Sequence, residues 1–386
     1  MFMRRHIPDP PAPVWLGPAP RILVVKLASL GDMLLMMPSM HALRERYPDA
    51  QIDLLTTYAS APLAARSRYF DTIYPFDKYA FDYPRHWLQH PWKSVPLMCT
   101  LLRLRHSRYD AVILGHHLTL AFGRWKYRAL LRLLRAETTI GLDNGYGHFL
   151  DVRVPDLGFG ACHEAEYALN LAYASGVEPV GSERYSTASD LDLEPHPRGP
   201  TSFHRIALHP GSGTYSIARR WPEARFAGLA KKLHDATGDE IIVIAGEDER
   251  TLAENILQRC GAPSWLRLAA TTTLDDLART LEAVDLLIAN DSFPMHFAAF
   301  LGLPVVAIFG PSNHAAWRPW APDPNLVRVL RREELPCSPC MYRGHELGTL
   351  KGCPPRPCLT GLSEGTVLRA ALILRSTQDD PVSRGE

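Results

Sequence analysis

One carboxylate, Asp32, follows an apolar segment and a glycine near the start of the chain. Residues Arg21–Leu27 are apolar and β-branched and follow two prolines, which predicts a buried strand. Apolar residues then recur at helical spacing, and residues Gln51–Leu55 predict a second strand. Ligands of open α/β sheets bind where the strands end, so Asp32 is predicted to lie at a site. Its chemistry there would be that of a general base.

A glycine-rich stretch, HPGSG, follows a predicted strand in the second half of the chain. Gly211 and Gly213 would let backbone N–H groups approach a phosphate, and Arg219 or Arg220 would add positive charge. Pro222 predicts the first position of the next helix. A tight surface turn and two solvated arginines explain the same residues about as well.

The stretch IANDSFPMH, residues 288–296, is more specific. A buried strand runs into Asp291 and Ser292, and a helix is predicted to start near Pro294. Free N–H groups at a helix start bind anions, and His296 in the first turn could donate to a phosphate or a sugar hydroxyl. The alternative is that Asp291 or Ser292 only caps the helix.

Another carboxylate, Glu247, follows a predicted strand and Gly246. A carboxylate at this position can accept hydrogen bonds from ribose hydroxyls in dinucleotide-binding folds. A capping role for Glu247 or Asp248 is equally consistent with the sequence. Together these stretches predict a phosphorylated, nucleotide-type ligand in the second half, with a base in the first.

The elements that position these residues alternate between strand and helix in both halves, which predicts an α/β protein with two doubly wound domains. The polar, proline-rich residues 191–205 predict a linker between them. Predicted segments are a proline-rich tail (1–20), the first domain (21–190), the second domain (206–370) and a C-terminal tail (371–386). Predicted strands are 21–27, 51–55, 72–75, 111–114, 138–140, 206–209, 240–245, 266–269, 285–289 and 304–309, and predicted helices are 127–136, 223–236, 250–258, 274–283 and 295–301.

Composition excludes several classes of protein. The 386 residues are 46% hydrophobic and 22% charged with a net charge of +1, which is typical of a globular protein and unlike a dedicated nucleic-acid binder. No apolar run approaches the ~18 residues of a transmembrane helix. The N-terminal residues are interrupted by prolines, which predicts a disordered tail and not a signal peptide. The protein is therefore predicted to be cytoplasmic.

Four of the seven cysteines cluster near the C-terminus, within residues 337–358. Their spacing, C-x2-C-x12-C-x4-C, is compatible with a structural zinc site of four thiolates. Reduced cysteines packed in a proline-rich loop are the favoured alternative. The four are Cys337, Cys340, Cys353 and Cys358.

Over residues 20–370 the sequence resembles glycosyltransferase family 9, the ADP-heptose:lipopolysaccharide heptosyltransferases. The similar motifs, in order, are ILVVKLASLGDMLLMMPSM, LHPGSG with RRWPEARF, IANDSFPMHFAAFLGLPVVAIFGPS, and the cysteine-bearing tail. The resemblance implies a GT-B fold of two Rossmann-like domains facing a cleft, and inversion at the anomeric carbon with no metal or other cofactor required for catalysis.

The resemblance also implies roles for single residues. Asp32 falls on the position of the general base, with Ser29 and Gly31 shaping its loop. Arg219 would bind the donor phosphate, and Glu247 would hold the ribose. The other residues implied to bind the donor are His209, Gly211, Ser212, Gly213, Asp291, Ser292, Phe293 and His296.

The implied function is transfer of heptose from ADP-heptose to a hydroxyl of the lipopolysaccharide inner core. The acceptor would be a lipid-linked oligosaccharide at the inner membrane face, reached by a cytoplasmic or peripheral enzyme; no nucleic acid is expected as a partner. The alternatives are a related transferase that uses another nucleotide sugar for capsule or O-antigen glycan, and an inactive nucleotide-binding relative.

The sequence departs from the family pattern at Phe293, where the family usually has glycine. A phenyl ring beside the diphosphate could crowd the sugar, and a left-handed φ at this position would be strained for phenylalanine. This difference bears on the identity of the donor more than on the fold.

Overall fold

The computed structural model describes residues 11–77, 92, 94–179, 188–193, 204–213, 216–341 and 351–379. The chain divides into two compact units. The first unit consists of Met1–Ser186 and Asp190–Asp192, and the second unit consists of Thr187–Ser189 and Leu193–Glu386. Each unit is built on a six-stranded parallel sheet. Parallel strands need crossover connections, and helices supply most of them in both units.

The first unit has the strand order β3-β2-β1-β4-β5-β6. The order reverses between β1 and β4, which pair in parallel from Ile22 with Ala111 to Val25 with Leu114. The strands are β1 (Arg21–Lys26), β2 (Gln51–Thr57), β3 (Thr72–Phe76), β4 (Ala111–Leu114), β5 (Thr138–Asp143) and β6 (Val152–Pro155), and the helices are α1 (Leu30–Leu34), α2 (Met37–Arg46), α3 (Ala61–Ala65), α4 (Ser94–His106), α5 (Ala121–Leu134) and α6 (Glu164–Ala174).

The second unit has the order β12-β11-β10-β7-β8-β9, which from the other edge repeats the order of the first unit. Its order reverses between β7 and β10. The strands are β7 (Arg205–His209), β8 (Glu240–Ala245), β9 (Leu266–Ala270), β10 (Leu286–Asn290), β11 (Val305–Ile308) and β12 (Val327–Leu330), and the helices are α7 (Glu223–Thr237), α8 (Arg250–Cys260), α9 (Leu274–Glu282), α10 (Phe293–Leu301), α11 (His314–Trp317), α12 (Pro357–Thr360) and α13 (Glu364–Asp379). Short 3-10 turns cover Ala188–Leu191, Ile217–Arg219, Glu247–Glu249 and Pro324–Leu326.

Hydrophobic burial holds each sheet against its helices. The central strands β1, β4, β7 and β10 are buried along most of their length, as expected for parallel strands covered on both faces. In the second unit, the fully buried Trp221 and Phe226 pack edge to face in the core. The rigid strand ends that result are where each unit can fix polar side chains.

The structure corrects the two predicted tails. Val14 donates its backbone N–H to the carbonyl of Ala174 at 3.0 Å, and the ring of Trp15 lies 5.6 Å from that of Tyr47. The described part of this tail, residues 11–20, therefore contacts the first unit at Val14 and Trp15. At the other end, α13 continues to Asp379 with Ala371 buried in the core, so the second domain does not end at residue 370.

The alternating pattern was right for every predicted strand, with ends shifted by at most three residues, but among the described residues it missed two strands. Both are the last strand of their sheet, β6 and β12. They have four residues each, and in β12 all four are only partly buried, so neither carries a long apolar run. The predicted linker falls mainly on residues 194–203, which lie outside the described residues.

Candidate functional site

In the second unit, polar side chains gather where β7 and β10 end, at the point where the strand order reverses. Asn290, the last residue of β10, is fully buried. Its amide nitrogen donates to the carbonyl of Pro210 at 2.7 Å, and its amide oxygen accepts the backbone N–H of Trp221 at 3.0 Å. One side chain thus fixes both ends of the loop that carries the glycines.

The glycine-rich loop encloses a carboxylate of the chain itself. Glu249 accepts the backbone N–H groups of Ser212 at 2.8 Å and Gly213 at 2.7 Å through Oε1. A Cβ added at Gly211 would lie about 2.1 Å from this carboxylate, so the carboxylate would have to shift to admit any other residue there. The amides of Ser212 and Gly213 are therefore occupied by Glu249, and Gly211 and Gly213 shape the loop around it, while the donor contact of this loop stays a prediction.

His209 joins this carboxylate to the end of β10. Its Nε2 lies 3.1 Å from Oε2 of Glu249, and its Nδ1 lies 3.0 Å from Oγ of Ser292. Burial raises the pKa of Glu249, but His209 and the two loop amides outweigh it and lower the pKa to about 2. Glu249 is therefore ionised at neutral pH and acts as a fixed anion inside the loop.

Two arginines follow the loop and differ in their partners. Arg219 lies 3.4 Å from the carboxylate of Asp291 and donates to the carbonyl of Ser212 at 2.7 Å. Arg220 lies 3.6 Å from Glu249 and donates to the carbonyl of Gly213 at 3.1 Å. Arg220 therefore interacts with the loop and its carboxylate, whereas Arg219 extends toward the start of α10.

The start of α10 excludes the capping alternative for Ser292. Ser292 is the N-cap residue, but its side chain makes no capping hydrogen bond, because its hydroxyl donates to the carbonyl of Asn290 and contacts His209. Asp291 is buried beside Arg219. The amino end of α10 is therefore the part of this site whose geometry suits an external anion.

Phe293 is the first residue of α10, so the left-handed φ considered for this position does not occur. It is absent from the residues with positive φ, so phenylalanine has ordinary helical geometry here. Its ring is half-buried and stacks on Phe297 with 5.4 Å between centroids. His296 lies buried in the same first turn.

Glu247 lies apart from the buried cluster. It is exposed after the end of β8, whereas Glu249, two residues later, is buried. Both carboxylates belong to the 3-10 turn Glu247–Glu249. A cavity of about 140 Å³ beside it is lined by Gly246, Arg250 and Thr272 among others. Glu247, which is predicted to contact ribose, thus lines a cavity within the second unit.

In the first unit, Asp32 lies after β1, again where the strand order reverses. Ser29 caps α1 and donates to Oδ2 of Asp32 from its hydroxyl at 2.7 Å and from its backbone N–H at 3.3 Å. Asp32 is half-buried and Gly31 is buried in the same turn. The capping geometry holds the carboxylate in a fixed orientation at the strand end.

The loop before Asp32 is anchored from both neighbouring strands. The carbonyl of Ala28 accepts hydrogen bonds from Thr57 at 3.0 Å and Ser60 at 2.9 Å, both after or at the end of β2. On the β4 side, the N–H of Leu27 donates to Nε2 of His116 at 2.7 Å. The position of Asp32 is therefore determined by β1 and both of its neighbours.

A second histidine after β4 forms a buried charged group. His117 lies 2.8 Å from Asp156 through Nδ1 and 3.1 Å from Glu164 through Nε2. Burial lowers the pKa of His117, but the two carboxylates outweigh it and raise the pKa to about 9. The ring is 10% exposed, so this ion group acts on the stability of the first unit.

The zinc site predicted at the clustered cysteines gains no support from their arrangement and stays a prediction. Among the residues that the structure describes, no group of three or more His, Cys, Asp or Glu side chains is placed to hold a metal ion. All four are free; Cys358 is buried in the core of the second unit, whereas Cys337 and Cys353 are exposed. Burial, followed by the neighbouring cysteines, raises the pKa of Cys340 and Cys358.

Sequence reasoning missed two residues that organise the second site, Glu249 and Asn290. Glu249 is the third carboxylate in the run Glu247–Glu249, and only the 3-10 turn directs it inward. The lack of a side chain at Gly211 was the sequence signal for a close approach, but the pattern did not identify what approaches. Asn290 could have been found as a polar residue within an otherwise apolar strand.

Two parallel sheets with the same strand order, each with polar groups at its point of reversal, have the GT-B fold of the known structures they match. The model of glycosyltransferase family 9 (heptosyltransferase) matches residues 102–350, and the chain belongs to this family.

Among its relatives is lipopolysaccharide heptosyltransferase 3 of Escherichia coli, which is 26% identical over 307 residues, 75% of this chain and 84% of the relative. Lipopolysaccharide heptosyltransferase 2 of E. coli K12 is 28% identical over 339 residues, 80% and 88% of the two chains. The solved structure of E. coli heptosyltransferase WaaC with ADP-2-deoxy-2-fluoro heptose superposes with a TM-score of 0.63 at 19% identity, over 91% of this chain and 98% of that one. Within the described residues, the structure contains no helix of the length and apolarity needed to cross a membrane.

Proposed function

We propose that the protein transfers heptose from ADP-heptose to a hydroxyl of the lipopolysaccharide inner core, with inversion at the anomeric carbon. The relatives are named for heptose transfer to lipopolysaccharide, and a structural neighbour holds an ADP-heptose analogue. The observation that carries the proposal is the amino end of α10, where Arg219 lies beside a helix start that Ser292 does not cap. This is a site for the negatively charged diphosphate of a nucleotide sugar.

The donor diphosphate contacts Arg219 and the amino end of α10, not the amides of the glycine-rich loop. Glu249 already accepts two of those amides and would repel a second anion. Arg219 approaches Asp291 at 3.4 Å, longer than a close ion pair, so its guanidinium can also bind phosphate oxygens. The cavity beside Glu247 is assigned to the nucleoside, with this carboxylate accepting ribose hydroxyls.

Asp32 acts as the general base for the acceptor hydroxyl. The carboxylate takes the hydroxyl proton while the oxygen forms a bond to the anomeric carbon. The bond from that carbon to the diphosphate breaks, and the leaving group departs with its electron pair. The hydrogen bonds from Ser29 orient Asp32.

Catalysis requires no metal ion in this proposal. Arg219 and the partial positive charge at the start of α10 stabilise the departing diphosphate in place of a divalent cation. Within the described residues no cluster of ligands for such a cation is present, and Asp291 already pairs with Arg219. Activity after treatment with EDTA tests this point, and turnover restored only by Mg²⁺ would contradict it.

The acceptor is a lipid-linked oligosaccharide at the inner face of the inner membrane, and the protein acts from the cytoplasm as a peripheral enzyme. Nucleic acid is not a partner in this proposal, in keeping with the net charge of +1.

A donor screen tests the proposal. Purified protein is incubated with ADP-heptose, ADP-hexoses, UDP-hexoses or GDP-hexoses, with and without a heptose-deficient lipopolysaccharide, and release of nucleotide diphosphate is measured by mass spectrometry. We expect acceptor-dependent ADP release from ADP-heptose. Preferred turnover of another donor would support a capsule or O-antigen enzyme, and binding of ADP with no turnover of any donor would support an inactive relative.

A further inference from the structure

The exposed apolar side chains of the described residues are concentrated on one part of the first unit. Thirteen large hydrophobic side chains are exposed in all, and seven of them lie between residues 92 and 125. On α4 they recur at helical spacing, and on α5 they occupy its amino-terminal end. The seven are Trp92, Val95, Met98, Leu102, Leu120, Phe122 and Trp125.

The other faces of these two helices are already packed. Leu97, Leu101 and Leu104 of α4 and Leu130 and Leu131 of α5 belong to the buried core of the first unit, and the two helices contact each other. The exposed apolar face of α4 and α5, called here the α4–α5 surface, is therefore a second apolar face of helices that have already buried one. Met98 is 46% exposed and Trp125 is 64% exposed.

The same segment is strongly basic. Residues 94–136 contain eight lysines and arginines and a single acidic residue, Asp110. That carboxylate accepts the backbone N–H of Arg21 at 2.7 Å. The segment has a net charge of +7 in a chain whose total is +1, so the positive charge is local. Arg103, Arg128 and Arg132 are exposed beside the apolar side chains.

We propose that the α4–α5 surface binds the chain to an anionic lipid bilayer. Aromatic and aliphatic side chains with interspersed arginines are the composition of helices that lie in a membrane interface, where apolar groups enter the acyl boundary and arginines contact lipid phosphates. A second copy of the chain does not fit the surface, because a two-fold contact would place two copies of a segment with a net charge of +7 against each other.

The surface also lies at the correct end of the sheet for a lipid-borne substrate. The helix α5 begins at Ala121, soon after β4 ends at Leu114, and β4 neighbours β1 in the sheet. Leu120 and Phe122 therefore lie toward the edge of the sheet where Asp32 is placed. This consequence rests on the proposed function, whereas binding to lipid does not depend on any donor or acceptor.

Vesicle flotation with the full chain tests the proposal without an activity assay. Vesicles of phosphatidylcholine alone are compared with vesicles that also contain phosphatidylglycerol, at low and at high salt. We expect binding to the anionic vesicles that weakens with salt. Each basic residue near an anionic surface contributes about fivefold to partitioning, so Arg128→Glu with Arg132→Glu should reduce it by well over tenfold.

A second variant tests the apolar contribution, with matched controls from the other unit. Phe122→Ser with Trp125→Ser should reduce binding at least ~tenfold, because two exposed aromatic rings lose their apolar burial. Ile373→Ser on α13 and Lys231→Glu on α7, both exposed, should bind as the wild type does. Circular dichroism confirms that each variant is folded.

Three results would overturn the proposal. The first is equal binding to neutral and anionic vesicles, and the second is unchanged binding in both paired variants. The third is self-association of the wild type that these variants abolish, without binding to vesicles, which would assign the α4–α5 surface to a second copy. The flotation experiment contains no nucleotide sugar, so a failed donor screen would leave the lipid result unaffected.

Discussion

The two units have the same strand order and place their candidate groups at the same point of the sheet, but they fix those groups differently. At the end of β7, the carboxylate of Glu249 is buried and is held by two backbone amides and His209. At the end of β1, Asp32 is half-buried and accepts hydrogen bonds from the adjacent Ser29. One carboxylate is buried within the protein, and the other keeps part of its surface in solvent.

This difference separates a structural anion from a reactive one. Glu249 has its pKa lowered to about 2 by its hydrogen bonds, so it does not take up a proton near neutral pH. A general base needs access to the substrate hydroxyl, which the half-buried Asp32 retains. The comparison therefore supports the proposal that the first unit removes the proton and the second unit positions the donor.

The largest effect is expected for Asp32→Asn. The amide keeps the size of the side chain but cannot act as the base, so turnover should fall by ~10²–10⁴. Binding of ADP, which needs only the second unit, should be unchanged by calorimetry. Asp53→Asn is not a suitable control because Asp53 is buried; the exposed Asp49→Asn on the same unit should retain activity. Wild-type turnover of Asp32→Asn would contradict the assignment.

A smaller effect is expected for Glu249→Gln. The change removes the charge that the two loop amides and His209 contact, and a hydrogen bond to a charged group contributes about 1.5–3 kcal/mol. The loop should lose its fixed shape, and the Kd for ADP should rise ~10–100-fold. Asp248→Asn, one residue earlier and exposed, is the matched control and should bind ADP normally. Tight ADP binding by Glu249→Gln would show that this carboxylate does not organise the donor loop.

A smaller change in the Kd for ADP is expected when Arg219 or Arg220 is replaced by alanine. Arg219→Ala should raise the Kd for ADP by about tenfold, because the charge facing the start of α10 is lost. Arg220→Ala should have a smaller effect, since this arginine interacts with the loop and Glu249. Calorimetry on both variants decides the order, and an equal or reversed order would mean that Arg220 binds the diphosphate.

The smallest effect concerns the stability of the first unit. The pKa of His117 is raised to about 9 from an ordinary 6.5, so its stabilising contribution is complete below pH 6.5 and is lost as the pH rises through 9. The Tm of the first unit should fall by several degrees over this window. His117→Asn should flatten the dependence, whereas His148→Asn, at an exposed position, should leave it unchanged. A wild-type Tm independent of pH in this window would contradict the charged state of His117.

The strands that lead to both sites could be predicted from the sequence because they are central and apolar. Edge strands such as β6 and β12 could not, since they are short and β12 is only partly buried. Position after a strand also predicted Asp32, Asp291 and Ser292 correctly as residues at strand ends.

The partners of these residues could not be predicted, because they come from distant parts of the chain. Glu249 reaches a loop 36 residues earlier through its contact with Gly213, and Asn290 reaches back 80 residues to Pro210. Local sequence does not encode which of three successive carboxylates turns inward. The φ of Phe293 was likewise decided by its place as the first residue of α10, not by its type.

The mass of the acceptor after incubation with ADP-heptose tests the central claim most directly. Heptose-deficient lipopolysaccharide is treated with the wild type and with Asp32→Asn at the same saturating concentration of ADP-heptose. The product is measured by mass spectrometry. The account predicts an acceptor heavier by one heptose residue with the wild type and an unchanged acceptor with the variant. No heptose addition by the wild type, or equal addition by both proteins, would contradict it.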